Sequence, residues 1–284
     1  MDTKELSRVA KHMVMPNKGI LAADESTGTI TKRFDSIKVE STEDNRRDWR
    51  QLLFQTQSIS NYISGIILFD ETLRQSTSGG KKFVDLLNDK DILPGIKVDK
   101  STHPLPLSDG EVITEGLDGL RKRLEEYLLL GAKFTKWRAV INISDNFPSN
   151  YAINVNSYHL ALYAALSQEV GLVPIVEPEV LMDGNHSVDQ CAEVTTKTLK
   201  KVFSDLDDCN VYLPGIVLKP NMVLSGKDAS HRADSEQVAK HTVDVLENTV
   251  PKEVPGIAFL SGGQEDQESI DNLNQINIYA KKKK

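Results

Sequence analysis

The sequence predicts an α/β protein built as a TIM (β/α)8 barrel, and three observations carry that expectation. Short apolar segments recur along the 284 residues, each followed within a residue or two by a polar or ionisable side chain. Longer amphipathic segments separate them, so strands alternate with helices and pair in parallel. The strand-end markers Asp24, Phe69, Lys97, Lys136, Glu177, Lys219 and Ser261 follow one another at intervals of about thirty to forty-five residues, the length of one strand, one helix and their connections. Seven such units favour a closed barrel over an open doubly wound sheet. No Gly-x-Gly-x-x-Gly follows a strand and no Gly-x-x-x-x-Gly-Lys occurs, so nucleotide-binding folds lack their marker.

In chain order the expected strands are Gly19–Asp24, Gly65–Phe69, Leu93–Asp99, Phe134–Arg138, Val173–Glu179, Gly215–Lys219 and Gly256–Gly263. The segment Glu115–Gly131 spaces Leu117, Leu120, Leu124, Tyr127 and Leu128 as one helix face, with Gly131 as its stop. Asn150–Gly171 repeats the pattern. Ser187–Leu206 and Ser235–Asn248 each open on a serine suited to cap a helix. A single domain over residues 1–284 is expected.

Composition sets the remaining bounds. With 39% hydrophobic and 26% charged residues the chain can bury a large core, and a net charge of -7 argues against nucleic acid as a partner. Cys191 and Cys209 have no ligand-spaced neighbours and read as reduced thiols. The polar start Met1-Asp-Thr-Lys-Glu-Leu has no signal-peptide core, and no apolar run approaches the ~18 residues of a membrane span. A cytoplasmic protein with no membrane span is expected.

The stretch around which the site is organised is Gly215-Ile-Val-Leu-Lys219-Pro-Asn-Met222. A cation at the end of a buried apolar strand is costly to desolvate, which makes the free amine available to attack a carbonyl. Alternate residues share a strand face, so Lys136 lies with Arg138, Glu177 with Glu179, and Lys97 with Asp99. In a barrel the strand C-terminal ends meet at one mouth. Taken singly, each is a solvated strand-end charge; five strands ending this way point to a pocket. There Lys136 would disfavour protonation of Lys219, Glu177 would shuttle protons, and Asp24 and Glu179 would hold the cations or exchange protons. Ser261-Gly262-Gly263 offers backbone N–H groups to a phosphate, or is simply a tight turn. With Lys97, Arg138 and Ser26-Thr-Gly28, the pocket suits a phosphorylated substrate. The histidines form no ligand-spaced cluster, and no metal or cofactor is predicted.

These residues stand in longer motifs. Gly19-Ile-Leu-Ala-Ala-Asp-Glu-Ser-Thr-Gly28, Asn45-Arg-Arg47 with Arg50-Gln-Leu-Leu53, Gly95-Ile-Lys-Val-Asp-Lys100, Ala132-Lys-Phe-Thr-Lys-Trp-Arg138, Val173-Pro-Ile-Val-Glu-Pro-Glu179, Leu218-Lys-Pro-Asn-Met-Val223 and Phe259-Leu-Ser-Gly-Gly-Gln264 occur in order. Together they resemble class I fructose-bisphosphate aldolase, from near the N-terminus to about Asn277. The resemblance implies a metal-independent lyase that reversibly cleaves fructose 1,6-bisphosphate to dihydroxyacetone phosphate and glyceraldehyde 3-phosphate, usually as a homotetramer. It implies Lys219 as the Schiff-base lysine, Glu177 as the main acid/base, and Lys136, Asp24 and Glu179 as the rest of the catalytic network. Ser261, Gly262 and Gly263 would hold one phosphate, and Lys97, Arg138, Ser26 and Arg33 would line the opposite end of the substrate.

The family pattern continues with an eighth strand bearing Ser-Tyr-Gly-Arg and a C-terminal region ending in a tyrosine, and neither occurs here. A truncated barrel with an exposed edge, weakened phosphate binding and slow turnover is therefore expected. Lys281–Lys284 reads as a solubilising end or a product of a cut reading frame, with an interaction tail as the alternative. A second functional class stays open at this point: a non-catalytic aldolase-like scaffold whose basic pocket binds acidic peptide tails or cytoskeletal partners.

Overall fold

The computed structural model describes residues 1–283. The chain forms α1 (Thr3–Met13), β1 (Gly19–Ala23), α2 (Thr27–Ser36), α3 (Glu43–Gln55), β2 (Ile63–Leu68), α4 (Asp70–Arg74), α5 (Phe83–Asn88), β3 (Leu93–Lys97), β4 (Thr102–Pro104), β5 (Val112–Thr114), α6 (Leu120–Leu129), β6 (Phe134–Ile141), α7 (Asn150–Val170), β7 (Val173–Val180), α8 (Val188–Asp208), β8 (Val217–Leu218), α9 (Ser235–Thr249) and α10 (Asp266–Lys283). Six strands pair in parallel in the order β1-β2-β3-β6-β7-β8, a curled TIM-barrel-type sheet. The strands read from the sequence as the first six are these six. The seventh, Gly256–Gly263, makes one parallel bridge, Leu218 to Ile257, and among the described residues no eighth parallel strand follows it. The chain instead enters α10, which runs well past the Asp266–Asn277 stretch read as helix-like. Between β1, residues 257–261 and α10 lies a cavity of about 720 Å³ lined in part by Ile20, Phe259 and Leu273.

Local chemistry sets the helix boundaries. Ser149 caps α7 by accepting from the Ala152 N–H at 3.0 Å, and Gly171 ends it at φ 100, a left-handed conformation that a residue without Cβ adopts freely. Ser187 and Gln190 form a reciprocal capping box on α8. The cap of α9 is Asp234 paired with Gln237, one residue before the serine read as the cap, because the aspartate reaches the third N–H of the helix. Helix α6 begins at Leu120 and not near Glu115, since Val112–Thr114 is drawn into an antiparallel hairpin with Thr102–Pro104. Lys281–Lys283 continue α10, and Lys283 Nζ bonds Asp244 at 2.6 Å and Glu247 at 2.7 Å on α9; Lys284 lies outside the described residues. Both cysteines are free thiols.

Strand pleating sorts the barrel into layers. On β6, Phe134, Lys136 and Arg138 face inward, while Trp137 stacks on Tyr163 of α7 at 5.5 Å between ring centres. The lower interior is apolar: Ile67, Phe134, Val173, Ile175 and Val217 pack on Leu6, Val9, Ala10 and Met13 of α1, which closes the bottom. The spacing of those four residues is a helix face, a signal the sequence carried in a segment read only as polar. Burying each large side chain contributes about 1.5–3 kcal/mol. Phe134 fills the space left by two glycines: a Cβ on Gly95 would stand 2.1 Å from its ring and one on Gly65 3.0 Å. Gly95→Ala should therefore cost about 1–3 kcal/mol by overpacking. Urea unfolding checks it, with Gly95→Ala/Phe134→Leu expected to recover most of the loss. Above this plug the same strand faces turn from apolar to charged.

Candidate active site

The upper interior layer is an ion-pair chain assembled from four strands. Glu177 of β7 accepts from Lys219 Nζ at 2.9 Å on Oε1, and Lys136 Nζ of β6 stands 3.3 Å from its other oxygen. Lys136 also donates to Asp24 Oδ2, just past β1, at 3.1 Å. Lys136, Glu177 and Glu179 are buried, at 5%, 2% and 4% exposure. Burial opposes the charge on Lys136, but Glu177, Asp24 and Asp99 outweigh it and hold the ammonium above its ordinary pKa.

This geometry corrects one expectation. Lys136 does not stand as a bare cation against Lys219; it is neutralised by two carboxylates, and its influence reaches Lys219 through the shared Glu177. A carboxylate bridging two amines can take the proton from Lys219 and later give it back, because Lys136 keeps Asp24 as a counter-ion while Glu177 is neutral. That is the requirement for making and breaking an imine.

One register step higher, Arg138 Nε bonds Glu179. Burial works against the Arg138 charge, and the bond to Glu179 more than restores it. Lys97 Nζ lies 2.6 Å from Asp99 Oδ1 and donates to the Asp99 carbonyl at 3.0 Å. Asp99 was singled out in the sequence only as sharing a face with Lys97; the structure makes it the counter-ion that aims it. Arg33 of α2 pairs with Glu25 at 2.5 Å. The Ser26 hydroxyl caps α2, accepting from the Thr29 N–H at 3.4 Å, so the positive end of that helix opens onto the same space.

Together Asp24, Ser26, Arg33, Lys97, Lys136 and Arg138 line a cavity of about 290 Å³. Lys219 and Ser261 instead line the larger cavity that runs down beside β1 and α10. The buried Glu177 bridges the walls of the two through its paired amines. Gly262 and Gly263 both take positive φ, 65 and 87, so their turn requires glycine. Glu179 reaches the smaller cavity only through its bond to Arg138, and Gly262 and Gly263 line neither of these two cavities. Asn221 joins the ends of β7 and β8: its side-chain oxygen accepts from the Val180 N–H at 3.0 Å, standing where a strand carbonyl would otherwise accept.

His186, in the connection after β7, is 3% exposed and neither ring nitrogen has a hydrogen-bond partner among the described residues. Burial pushes its pKa below the usual value. The unfolded chain therefore binds this proton first, near pH ~6.5, and the folded state loses stability as pH falls below that point and through the lower folded value. His186→Asn should accordingly lose its Tm deficit relative to the unsubstituted protein between pH 7.5 and 5.5, read by thermal denaturation at each pH.

The family model described as "Fructose-bisphosphate aldolase class-I" matches residues 5–284. A probable fructose-bisphosphate aldolase class 1 of Xanthomonas campestris is 54% identical over 97% of this chain and 83% of its own length. Fructose-bisphosphate aldolase 4, cytosolic, of Arabidopsis thaliana is 54% identical over 99% of this chain and 72% of its own. A solved structure of fructose-bisphosphate aldolase from Plasmodium falciparum, in complex with TRAP and a small molecule inhibitor, superposes with a TM-score of 0.96 at 48% identity, covering 97% of this chain and 80% of that one. These matches give no support to the expectation of a truncated family member: the family model covers residues 5–284, and the chain spans 83% and 72% of the two relatives named. With the fold, the lysine–glutamate–lysine chain and these likenesses in agreement, the chain belongs to the class I fructose-bisphosphate aldolases.

Proposed function

We propose that this aldolase cleaves fructose 1,6-bisphosphate reversibly to dihydroxyacetone phosphate and glyceraldehyde 3-phosphate through an imine on Lys219. The single observation that carries the assignment of roles is Glu177, buried and bridging Lys219 and Lys136. The Lys219 amine adds to the ketose carbonyl, giving a carbinolamine. Glu177 supplies the proton with which water departs, and the iminium forms. The iminium accepts the electron pair of the breaking C3–C4 bond while Glu177, a carboxylate again after the dehydration, takes the proton of the C4 hydroxyl, so the aldehyde leaves and an enamine remains. Protonation at C3 and hydrolysis of the imine return the amine and release the second product. Asp24 keeps Lys136 in register, and Glu179 does the same for Arg138. Lys97, Arg138, Ser26 and Arg33 take one phosphate; Ser261, Gly262 and Gly263 take the other. The chemistry places the electron sink on the substrate's own imine and calls on no metal.

The remaining readings follow from family membership. One domain over residues 1–284 and a homo-oligomer, as in the homotetrameric family, are proposed. A cytoplasmic location is supported by relatives named cytosolic, and among the described residues no helix is long and apolar enough to cross a membrane. The scaffold alternative stands second because Glu177, buried and bridging Lys219 and Lys136, is an arrangement that proton transfer calls for and the binding of an acidic tail does not.

Borohydride reduction in the presence of dihydroxyacetone phosphate, read by intact mass and peptide mapping, tests the proposal. One adduct on Lys219 is expected. No adduct from a protein that is compact and retains its far-UV spectrum would sink it.

A further inference from the structure

Asp24 lies beyond the sheet. The ladder between β1 and β2 ends at Ala23 opposite Leu68, so no strand bond fixes the backbone that carries this carboxylate. One side chain ties that backbone down. Arg50, on the inner face of α3, donates from Nη2 to the Glu25 carbonyl at 2.9 Å and from Nε to the Ala23 carbonyl at 3.4 Å, the carbonyls on either side of Asp24. The guanidinium is 0% exposed. Its third nitrogen, Nη1, has no hydrogen-bond partner and stands 3.6 Å from Glu71, which Arg46 already grips with two nitrogens at 2.9 and 2.5 Å. Burial outweighs the neighbouring carboxylates and lowers the Arg50 pKa, the mark of a charge held at a cost. An apolar side chain of similar volume would fill the same space without that desolvation. What such a side chain lacks is a rigid fork that spans two carbonyls.

We propose that Arg50 is a positioning residue for the aldolase reaction: by clamping the carbonyls on both sides of Asp24 it holds that carboxylate against Lys136 and so keeps Glu177 shared between Lys136 and Lys219. The inference rests on the site roles given above. Without the clamp, Asp24 drifts, Lys136 turns its charge wholly to Glu177, and Glu177 is drawn off Lys219. The loss falls on proton transfer, hence on kcat, and not on the phosphate contacts that set KM.

The test is a double-mutant cycle of Arg50→Lys with Asp24→Asn, with Arg50→Met as a second variant that removes the charge altogether. Arg50→Lys should lower kcat on the order of 10- to 100-fold, with KM within about twofold and borohydride trapping on Lys219 retained. Added to Asp24→Asn it should slow turnover no further, because both act through one group. Multiplicative losses in the double variant, a raised KM at unchanged kcat, or a lowered Tm with kcat intact would each reduce Arg50 to a structural role and overturn the proposal. Failure of the underlying site reading shows separately: Asp24→Asn would then turn over like the unsubstituted enzyme, or the trapped adduct would map away from Lys219. If Arg50→Met does not fold, the lysine variant decides.

Discussion

Lys219→Met should abolish borohydride trapping at this position and lower kcat by on the order of 10⁴- to 10⁶-fold, the scale seen when a covalent nucleophile is removed. The fold should survive. The methionine retains most of the length of the lysine stem, and Lys219 is the outermost member of the buried ion-pair chain, so its loss leaves Glu177 still facing Lys136 at 3.3 Å. That matters because stranding a buried charge costs about 3–5 kcal/mol, and here no charge is stranded. The measurements are turnover, peptide mapping after reduction, and far-UV circular dichroism. Retained turnover with an adduct on another lysine would mean that the imine forms elsewhere in the barrel mouth.

Glu177→Gln should lower kcat about 10²- to 10⁴-fold, the range for loss of a positioned acid/base group, while KM changes little. The amide preserves shape but offers one acceptor where the carboxylate gave two, and it carries no proton to the departing water. This variant should also be less stable, by up to about 3 kcal/mol, since Lys136 at 5% exposure keeps only Asp24 as a close counter-charge. Steady-state kinetics and denaturant unfolding on the same preparation separate the two effects. A kcat within about threefold of the unsubstituted enzyme would move the acid/base role to another group, with Asp24 and Glu179 next in line.

Much of this site was legible in the sequence because a barrel strand writes its interior face with a two-residue period. Lys136 with Arg138 and Glu177 with Glu179 were recognisable as pairs, and the structure shows each pair on the inward face above an apolar plug. The same rule made Lys97, Lys219 and Asp24 readable as strand ends, and the recurring interval made the order of the units readable. The cap was legible where serine held it, at Ser187, displaced by one residue where an aspartate preceded the serine, at Asp234, and unread at Ser149. Family motifs then supplied roles that patterning alone leaves open.

What the sequence by itself determined was therefore the set: a parallel barrel-type fold, the residues at its mouth, and the chemistry their types permit. Which of those residues touch was decided only by the tertiary structure. Glu177 and Lys219 are far apart in the chain yet meet at 2.9 Å, and whether Lys136 faces its fellow lysine or a carboxylate depends on strand register and stagger, which no local pattern encodes. The closure of the barrel floor by α1 and the clamp of Arg50 on the ends of β1 were likewise beyond local reading. The physical reason is the same throughout: periodicity reports which way a side chain points, whereas ion pairing and packing depend on what stands opposite, and that is settled only when distant segments are brought together against a common core.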